Sequence, residues 1–230
     1  MESVILLCAV AAILMLDNAA AFQMLLAQPI FAGPILGYLG GNLELGFELG
    51  FLLQLIWLSS MPVGAAIVPE GNFGSMAATI LGIFLTRMHP QYSEFIVFLM
   101  IVYGILSSFI GTRAIHLIRK GNEIYLTWLN NKLNQGVIIS LGRVIFFSLL
   151  FNALVVFIFF MALTILMAKF FELFQGVLIA DLNKIGVYSR IAILGSGIGM
   201  TATLFKEKKW QAWYVVGLLI GGVTVFYEIL

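Results

Sequence analysis

Charged side chains are scarce in this chain. Only 10% of its 230 residues are Asp, Glu, Lys or Arg, whereas 62% are hydrophobic. Soluble domains carry roughly a quarter charged residues, so this composition excludes a water-soluble globular domain and predicts an integral membrane protein. The net charge of +1 excludes a general basic face, and we therefore expect no nucleic-acid partner.

Cysteine and histidine are almost missing. Cys8 is the only cysteine, so no disulfide can form within the chain, and its apolar neighbours predict a small packing residue. His89 and His116 have no neighbours at metal-ligand spacing. Patterns for nucleotide binding or serine-protease chemistry are also missing. We therefore expect no catalytic residue, no metal and no cofactor on this chain.

Long apolar runs take the place of charge. A helix needs about 20 apolar residues to cross a bilayer core of about 30 Å. Charge-free runs of suitable length cover residues 18–43, 49–69, 95–112, 144–168 and 210–227. Shorter runs cover 4–16, 71–86 and 191–205. The first of these lacks the flanks of a cleaved signal peptide, and we expect it to remain in the mature protein. Short, glycine- or proline-interrupted segments in both halves are typical of transporters. The prediction is an all-α, polytopic membrane protein with re-entrant helical hairpins and an inverted repeat.

The distribution of charge divides one membrane domain, residues 1–230, into three parts. Five cations but only one acid lie between Arg113 and Arg143. By the positive-inside rule we expect residues 113–143 to be a cytoplasmic amphipathic connector, or a plain interfacial one. A hairpin-rich N-terminal half (1–112) precedes it and a C-terminal half (144–230) follows.

Residues 28–75 combine apolar character with polar side chains and glycine. A carboxylate near the bilayer centre costs about 3 kcal/mol, so the acids here need a reason. Gln54 lies in mid-run between two leucines, and its amide must bond to another helix, water or a ligand. Glu70 is either a ligand contact or a helix cap. Glu44 and Glu48 share a helix face; they are solvated at the turn or, if deeper, paired.

The glycines of this stretch predict a helical hairpin. Gly40-Gly41-Asn42 is typical of a tight turn. Glycines four residues apart on each side of it predict two faces on which helix backbones approach closely. Asp17 is either an interfacial helix end or a site residue.

Four blocks of the sequence occur in a fixed order: residues 17–23 (DNAAAFQ), 28–37 (QPIFAGPILG), 52–58 (LLQLIWL) and 61–70 (MPVGAAIVPE). Together they resemble the IIC component of mannose/fructose/sorbose-family sugar phosphotransferase systems (PTS). A weaker likeness at 184–205 and 210–227 extends the resemblance over most of the chain. The chain differs from the family at Gln28, Asn42 and Gln54, where the family often has Arg, Asp and an acidic residue. These differences bear on which sugar is bound.

The resemblance implies a multi-pass subunit of a bacterial plasma membrane that translocates a hexose or related sugar. In that family a IID membrane subunit accompanies IIC, and soluble IIA and IIB subunits carry the phosphoryl group to the sugar on the cytoplasmic side. It further implies a trimer of IIC and IID pairs. Amides and carboxylates match sugar hydroxyls, because they offer paired acceptors and donors. The expected sugar-binding residues are Gln54, Glu70, Asp17, Gln23 and Asn72.

Two other classes of function stay open at this point. A gradient-coupled secondary transporter could use Glu44, Glu48 or Glu70 as a proton or cation relay. A non-transporting membrane sensor or scaffold could share the fold. Uptake of unmodified solute that responds to uncouplers would indicate the first class. Accumulation of sugar phosphate that needs a soluble donor would indicate a phosphotransferase.

Overall fold

The computed structural model describes residues 2–21, 23–58, 69–174 and 183–204, together with residues 212, 215 and 216. Every regular element within these residues is a helix, as the sequence predicts. A short 3₁₀ helix, Pro90–Tyr92, lies between the fourth and fifth α-helices. The α-helices are α1 (Glu2–Ala19), α2 (Pro29–Gly40), α3 (Leu43–Trp57), α4 (Gly71–Met88), α5 (Ser93–Asn134), α6 (Leu141–Phe174) and α7 (Asn183–Leu204).

Helices α2 and α3 form the predicted hairpin. Gly41 has φ +75°, a left-handed conformation that glycine adopts easily, and it ends α2. The Asn42 side chain accepts the Leu45 N–H at 3.1 Å and so caps the start of α3. The two helices touch through glycine, since a Cβ on Gly46 would stand 2.6 Å from the Cα of Gly37. The glycines of this contact are Gly33, Gly37, Gly46 and Gly50.

Helix α4 lies at the centre of the N-terminal half. Nearly all of its side chains from Phe73 to Leu85 are buried, and α1, α2, α3 and α5 pack around it. Gly74 permits the close approach of α5, because a Cβ there would collide with the carbonyl oxygen of Gly104. Phe73 stacks on Phe160 of α6 with ring centroids 4.4 Å apart. These contacts fix the position of the first turn of α4.

Helices α5 and α6 are, in the described part of the chain, the two that are long and apolar enough to cross a membrane. In the most apolar 18-residue stretch of each helix, 56% of the α5 residues are buried in the protein but only 11% of the α6 residues. Large apolar side chains such as Ile158 and Leu166 are therefore exposed along α6. An exposed apolar face of this length is expected of a helix that contacts lipid or a partner protein.

Helix α5 extends into the segment predicted as a connector. Its 42 residues span about 63 Å at 1.5 Å per residue, roughly twice the thickness of a hydrocarbon core. Residues 113–134 thus continue a long helix, and residues 135–140 lead into α6. In this part Asn122 donates to Asn152 of α6 at 3.0 Å and accepts from Ser148 at 3.0 Å. The cytoplasmic position of the connector stays a prediction.

Helix α7 contacts the hairpin through charge. Arg190 forms ion pairs with Glu48 of α3 and Glu94 of α5, and its Nη2 donates to Glu48 Oε2 at 2.9 Å. Two alternatives were open for Glu44 and Glu48, solvation at the turn or pairing at greater depth. Glu48 is paired, whereas Glu44 is exposed.

Two of the segments singled out in the sequence lie largely outside the described residues. Residues 59–68, which include most of the fourth sequence block (61–70), lie outside the described residues, as does most of 210–227. The re-entrant character of the hairpin, the inverted repeat and the three-part division of the chain stay predictions.

Candidate functional site

Three polar side chains meet where α1 ends and α4 begins. Asn18 Nδ2 donates to Glu70 Oε1 at 2.9 Å, and Asn72 Nδ2 donates to Asn18 Oδ1 at 2.9 Å. Asn18 thus links two residues more than 50 positions away in the chain. All three side chains are partly buried. We call Asn18, Glu70 and Asn72 the amide–acid cluster.

The start of α4 is held in place by its neighbours, which explains the position of Glu70 and Asn72. Glu70 is the residue before the first turn, and its backbone N–H donates to the carbonyl oxygen of Ser108 in α5 at 3.0 Å. The Trp57 ring at the end of α3 lies directly against Gly71, where a Cβ would come within 2.6 Å of the indole. The end of α3 and the start of α4 therefore lie side by side.

Asp17 lies beside the cluster in sequence but contacts a different segment. Its side chain is buried, with 5% exposed. One carboxylate oxygen accepts the Met24 N–H at 2.7 Å, and the other accepts the Ala27 N–H at 3.4 Å. Asp17 thus binds the backbone of the loop between α1 and α2. Gln23 lies in that loop with φ +53°, and its side chain is exposed.

Gln54 also contacts backbone. Its Oε1 accepts the N–H of Ile30 in the first turn of α2 at 3.4 Å. Gln54 and Trp57 belong to the last turn of α3, so this contact joins the end of α3 to the start of α2. We call this end of the hairpin, opposite to the Gly41 turn, its open end. The residue is half-buried. Of the possible partners of this amide, a group of the protein itself is thus the one that its oxygen contacts.

The five residues predicted from the sequence therefore lie at one end of the first four helices. Glu70 and Asn72 are linked by their hydrogen bonds to Asn18. Asp17 bonds the loop between α1 and α2, Gln23 belongs to that loop, and Gln54 bonds the start of α2. Asn18 was missing from the predicted set. The sequence does place it beside Asp17 in the first matching block, but only the folded chain brings it to α4.

The charge at this end is also distinctive. Glu70 is the acid of the amide–acid cluster, and Arg119 of α5 is the positive charge near it. Asn18 and Asn72 offer both N–H donors and carbonyl acceptors but no charge. Among the described residues no group of three His, Cys, Asp or Glu could hold a metal ion. The groups of the cluster can therefore act by hydrogen bonding, with the amides as donors and acceptors and the carboxylate as an acceptor.

The opposite end of the hairpin is polar in another way. Arg87 at the end of α4 donates from Nη2 to the carbonyl oxygen of Gly40, the last residue of α2, at 2.6 Å. A cavity of about 300 Å³ lies between the hairpin tip and Arg87. The Asn42 and Arg87 side chains in its lining bond backbone groups at helix ends and not each other.

Comparison with known proteins agrees with this architecture. A solved membrane protein superposes with a TM-score of 0.66 and 18% identity, over 100% of this chain and 95% of that one. The mannose transporter ManYZ, solved by cryo-electron microscopy in complex with microcin E492, superposes with a TM-score of 0.56 and 17% identity, over 98% of this chain and 92% of that one. At such identities the likeness concerns the fold.

No curated protein sequence matches the chain significantly. A family model described as the sorbose-specific IIC component of the PTS, in contrast, matches residues 1–226, almost the whole sequence. The resemblance found in the four sequence blocks is thereby confirmed. This chain belongs to the family of PTS sorbose-specific IIC components and is a membrane-embedded sugar transport subunit.

Proposed function

We propose that this chain binds a hexose or related sugar at the amide–acid cluster and moves it to the cytoplasmic side of a bacterial plasma membrane. The observation that carries the proposal is the pair of hydrogen bonds made by the Asn18 side chain, which donates to Glu70 and accepts from Asn72. A cluster of this kind is costly in an apolar protein unless each group is paired. Pairing among side chains meets this need while no sugar is bound.

The chemistry of the cluster suits a sugar. Each sugar hydroxyl donates one hydrogen bond and accepts others, so two neighbouring hydroxyls can replace Asn72 and Glu70 as partners of Asn18. Every polar group then stays paired during the exchange, which keeps the energetic barrier to binding low. Gln54 and Gln23 supply further amide groups at the same helix end. The proposed binding set is therefore Asn18, Glu70, Asn72, Gln54 and Gln23.

We propose an elevator-like movement for translocation. The α2–α3 hairpin is held together by its glycine contacts and packs on α1 and α4, so it would move as one body with the ends of these two helices, which carry the amide–acid cluster. The exposed length of α6 supplies a surface for the IID subunit or for other copies, in a trimer of IIC and IID pairs. A soluble IIB subunit, which receives its phosphoryl group from IIA, would phosphorylate the sugar when it reaches the cytoplasmic side.

Reconstitution tests this proposal. Purified chain and IID subunit are placed in vesicles and supplied with phosphoenolpyruvate, the general phosphotransferase proteins, IIA and IIB, and radiolabelled L-sorbose, D-fructose or D-mannose. We expect labelled sugar phosphate to accumulate, and to disappear when IIB is omitted. Omission of this chain is the matched control. Unmodified sugar that accumulates without IIB would contradict the proposal.

A gradient-coupled transporter is the competing outcome of the same experiment. It requires uptake that collapses with an uncoupler and an acid free to change its protonation. Glu48 is a poor candidate for such a relay, because it is ion-paired with Arg190 and its protonation would break that pair. Glu44 is exposed at the hairpin tip, which leaves Glu70 as the remaining candidate of the three. Glu70→Gln would then abolish the response to the gradient.

A further inference from the structure

The loop that follows α1 is held by one buried side chain. Asp17 accepts two backbone N–H groups of residues 23–28, from Met24 at 2.7 Å and from Ala27 at 3.4 Å. These bonds use both oxygens of its carboxylate. The side chain is only 5% exposed, so little of it faces the space that a solute could enter.

The conformation of this loop is unfavourable by itself. Gln23 has φ +53° and Leu25 has φ +67°, in the left-handed region that residues with a side chain rarely adopt. Such residues persist only where the surrounding contacts determine their conformation. Within the loop the Gln28 N–H donates to the Leu25 carbonyl oxygen at 2.9 Å, a single tight turn.

Hydrophobic burial does not hold the loop in place. Met24 is 66% exposed, Leu25 61% and Leu26 38%, so three consecutive apolar side chains point away from the protein core. Ala27 is the exception, since only 2% of it is exposed. Within the described residues, the contacts that join loop 23–28 to the end of α1 are therefore the Asp17 bonds, and Ala27 is packed at the same place.

We propose that Asp17 is a positioning residue. It fixes loop 23–28 against the end of α1, so that Gln23 stays at the helix end that carries the amide–acid cluster, and it does not itself contact the sugar. Its neighbour Asn18 points to Glu70 and Asn72, so the last turn of α1 supports the loop with one residue and the cluster with the next. The consequence for sugar binding rests on the proposed function, whereas the consequence for the loop does not.

The loop can be tested without any sugar. Ala27→Cys places a reporter thiol at the buried end of the loop, and the natural Cys8, which is fully buried in α1, reports on unfolding of the whole protein. Detergent-solubilised protein is treated with a maleimide, and the modified fraction of each thiol is measured by mass spectrometry. Asp17→Ala should raise the labelling rate of the reporter thiol at least tenfold and leave that of Cys8 unchanged. Glu44→Ala, which removes an exposed acid at the hairpin tip, is the control and should change neither rate.

Asp17→Asn is the second variant, since it keeps the shape of the side chain and one acceptor oxygen. Hydrogen exchange at Met24 and Ala27, read in the protein without the reporter thiol, should increase several-fold in Asp17→Asn and more in Asp17→Ala. Binding of L-sorbose, D-fructose or D-mannose should weaken about tenfold in parallel with the release of the loop.

Two results would overturn the inference. The first is that sugar binding is lost in Asp17→Asn while exchange at Met24 and Ala27 stays as slow as in the wild type, because Asp17 would then be a direct sugar ligand. The second is that the loop stays protected in Asp17→Ala. If the unsubstituted chain binds none of the three sugars, the proposed function fails, but the labelling result still decides the role of Asp17 in the loop.

Discussion

The two ends of the α2–α3 hairpin are both polar, yet their polar side chains have different partners. At the tip, Asn42 bonds the Leu45 N–H and Arg87 bonds the Gly40 carbonyl oxygen, so each side chain satisfies a helix terminus. At the open end, Asn18 bonds other side chains. A solute can replace a side-chain partner, whereas displacing a cap exposes backbone groups that stay unpaired. The comparison therefore separates a candidate binding surface from a structural one.

The strongest test of this comparison removes the centre of the amide–acid cluster. Asn18→Leu removes the donor and the acceptor with which Asn18 would bond the sugar, and each hydrogen bond lost is worth about 1–3 kcal/mol. We expect sugar uptake to fall by about 100-fold or more, because about 1.4 kcal/mol corresponds to a factor of ten. Initial rates of labelled-sugar uptake in vesicles, normalised to the amount of inserted protein, measure the effect.

Asn130→Leu is the matched control for that change. Asn130 is an exposed asparagine in the second half of α5, far along the chain from the cluster. Its substitution should leave uptake unchanged. Normal uptake by a stably inserted Asn18→Leu protein would show that the cluster is a structural contact like those of the tip.

A second test concerns Gln54, which lies at the open end but bonds backbone. Gln54→Leu removes the acceptor for the Ile30 N–H and the amide donor together. We expect uptake to fall by about 10- to 100-fold, the loss of one or two hydrogen bonds of about 1–3 kcal/mol each. The measurement is again the uptake rate at equal protein. Retained uptake would remove Gln54 from the binding set.

Gln54→Glu distinguishes the two roles of this residue. The glutamate keeps an oxygen for the Ile30 N–H but has no amide donor. Uptake near the wild-type rate would show that Gln54 acts through the start of α2, as Asp17 acts through the loop. A loss as large as that of Gln54→Leu would show that the sugar uses the donor.

The sequence predicts local features of this protein well. The hairpin turn, the glycine faces and the all-α class follow from residue types at fixed short spacing, because turn chemistry and helix periodicity act over a few residues. The pairing of Asn18 with Glu70 does not follow, since it spans 52 positions and depends on how α1 packs on α4. Nor can the sequence separate a carboxylate that binds its own loop from one that binds a solute.

The length of α5 was also beyond the sequence signal. Hydropathy falls at Arg113, where the connector is predicted to begin, and the backbone continues as helix through this position to Asn134. Helix formation depends on propensity and packing, whereas hydropathy reports on burial and membrane depth. A change in composition can therefore mark the membrane surface without ending the helix.

A third test asks whether the contact between α3 and α7 is structural. Arg190→Gln leaves Glu48 and Glu94 facing each other without their cation. The side chains of Arg190 and Glu48 remain 29% and 23% exposed, so solvent screens part of the charge. We expect a stability loss of about 1–2 kcal/mol, between the values for surface and buried pairs. Thermal unfolding in detergent measures it.

The double variant Arg190→Gln/Glu48→Gln is the control for charge. It removes the unpaired carboxylate of α3, so at least half of the stability lost in Arg190→Gln should return. If the double variant is less stable than the single one, the ion pair is not what holds α7 to the hairpin.

The smallest effect is expected at the tip, where the comparison began. Asn42→Ala removes the N-cap of α3, a change that costs about 1 kcal/mol. Uptake should stay within about twofold of the wild type, because the Leu45 N–H lies at the end of the hairpin opposite to the proposed site. Thermal unfolding and uptake are measured on the same preparation, with Asn42→Asp, which keeps a capping oxygen, as the control. A large loss of uptake without a loss of stability would place a functional site at the tip, and the distinction between caps and exchangeable side-chain pairs would then fail.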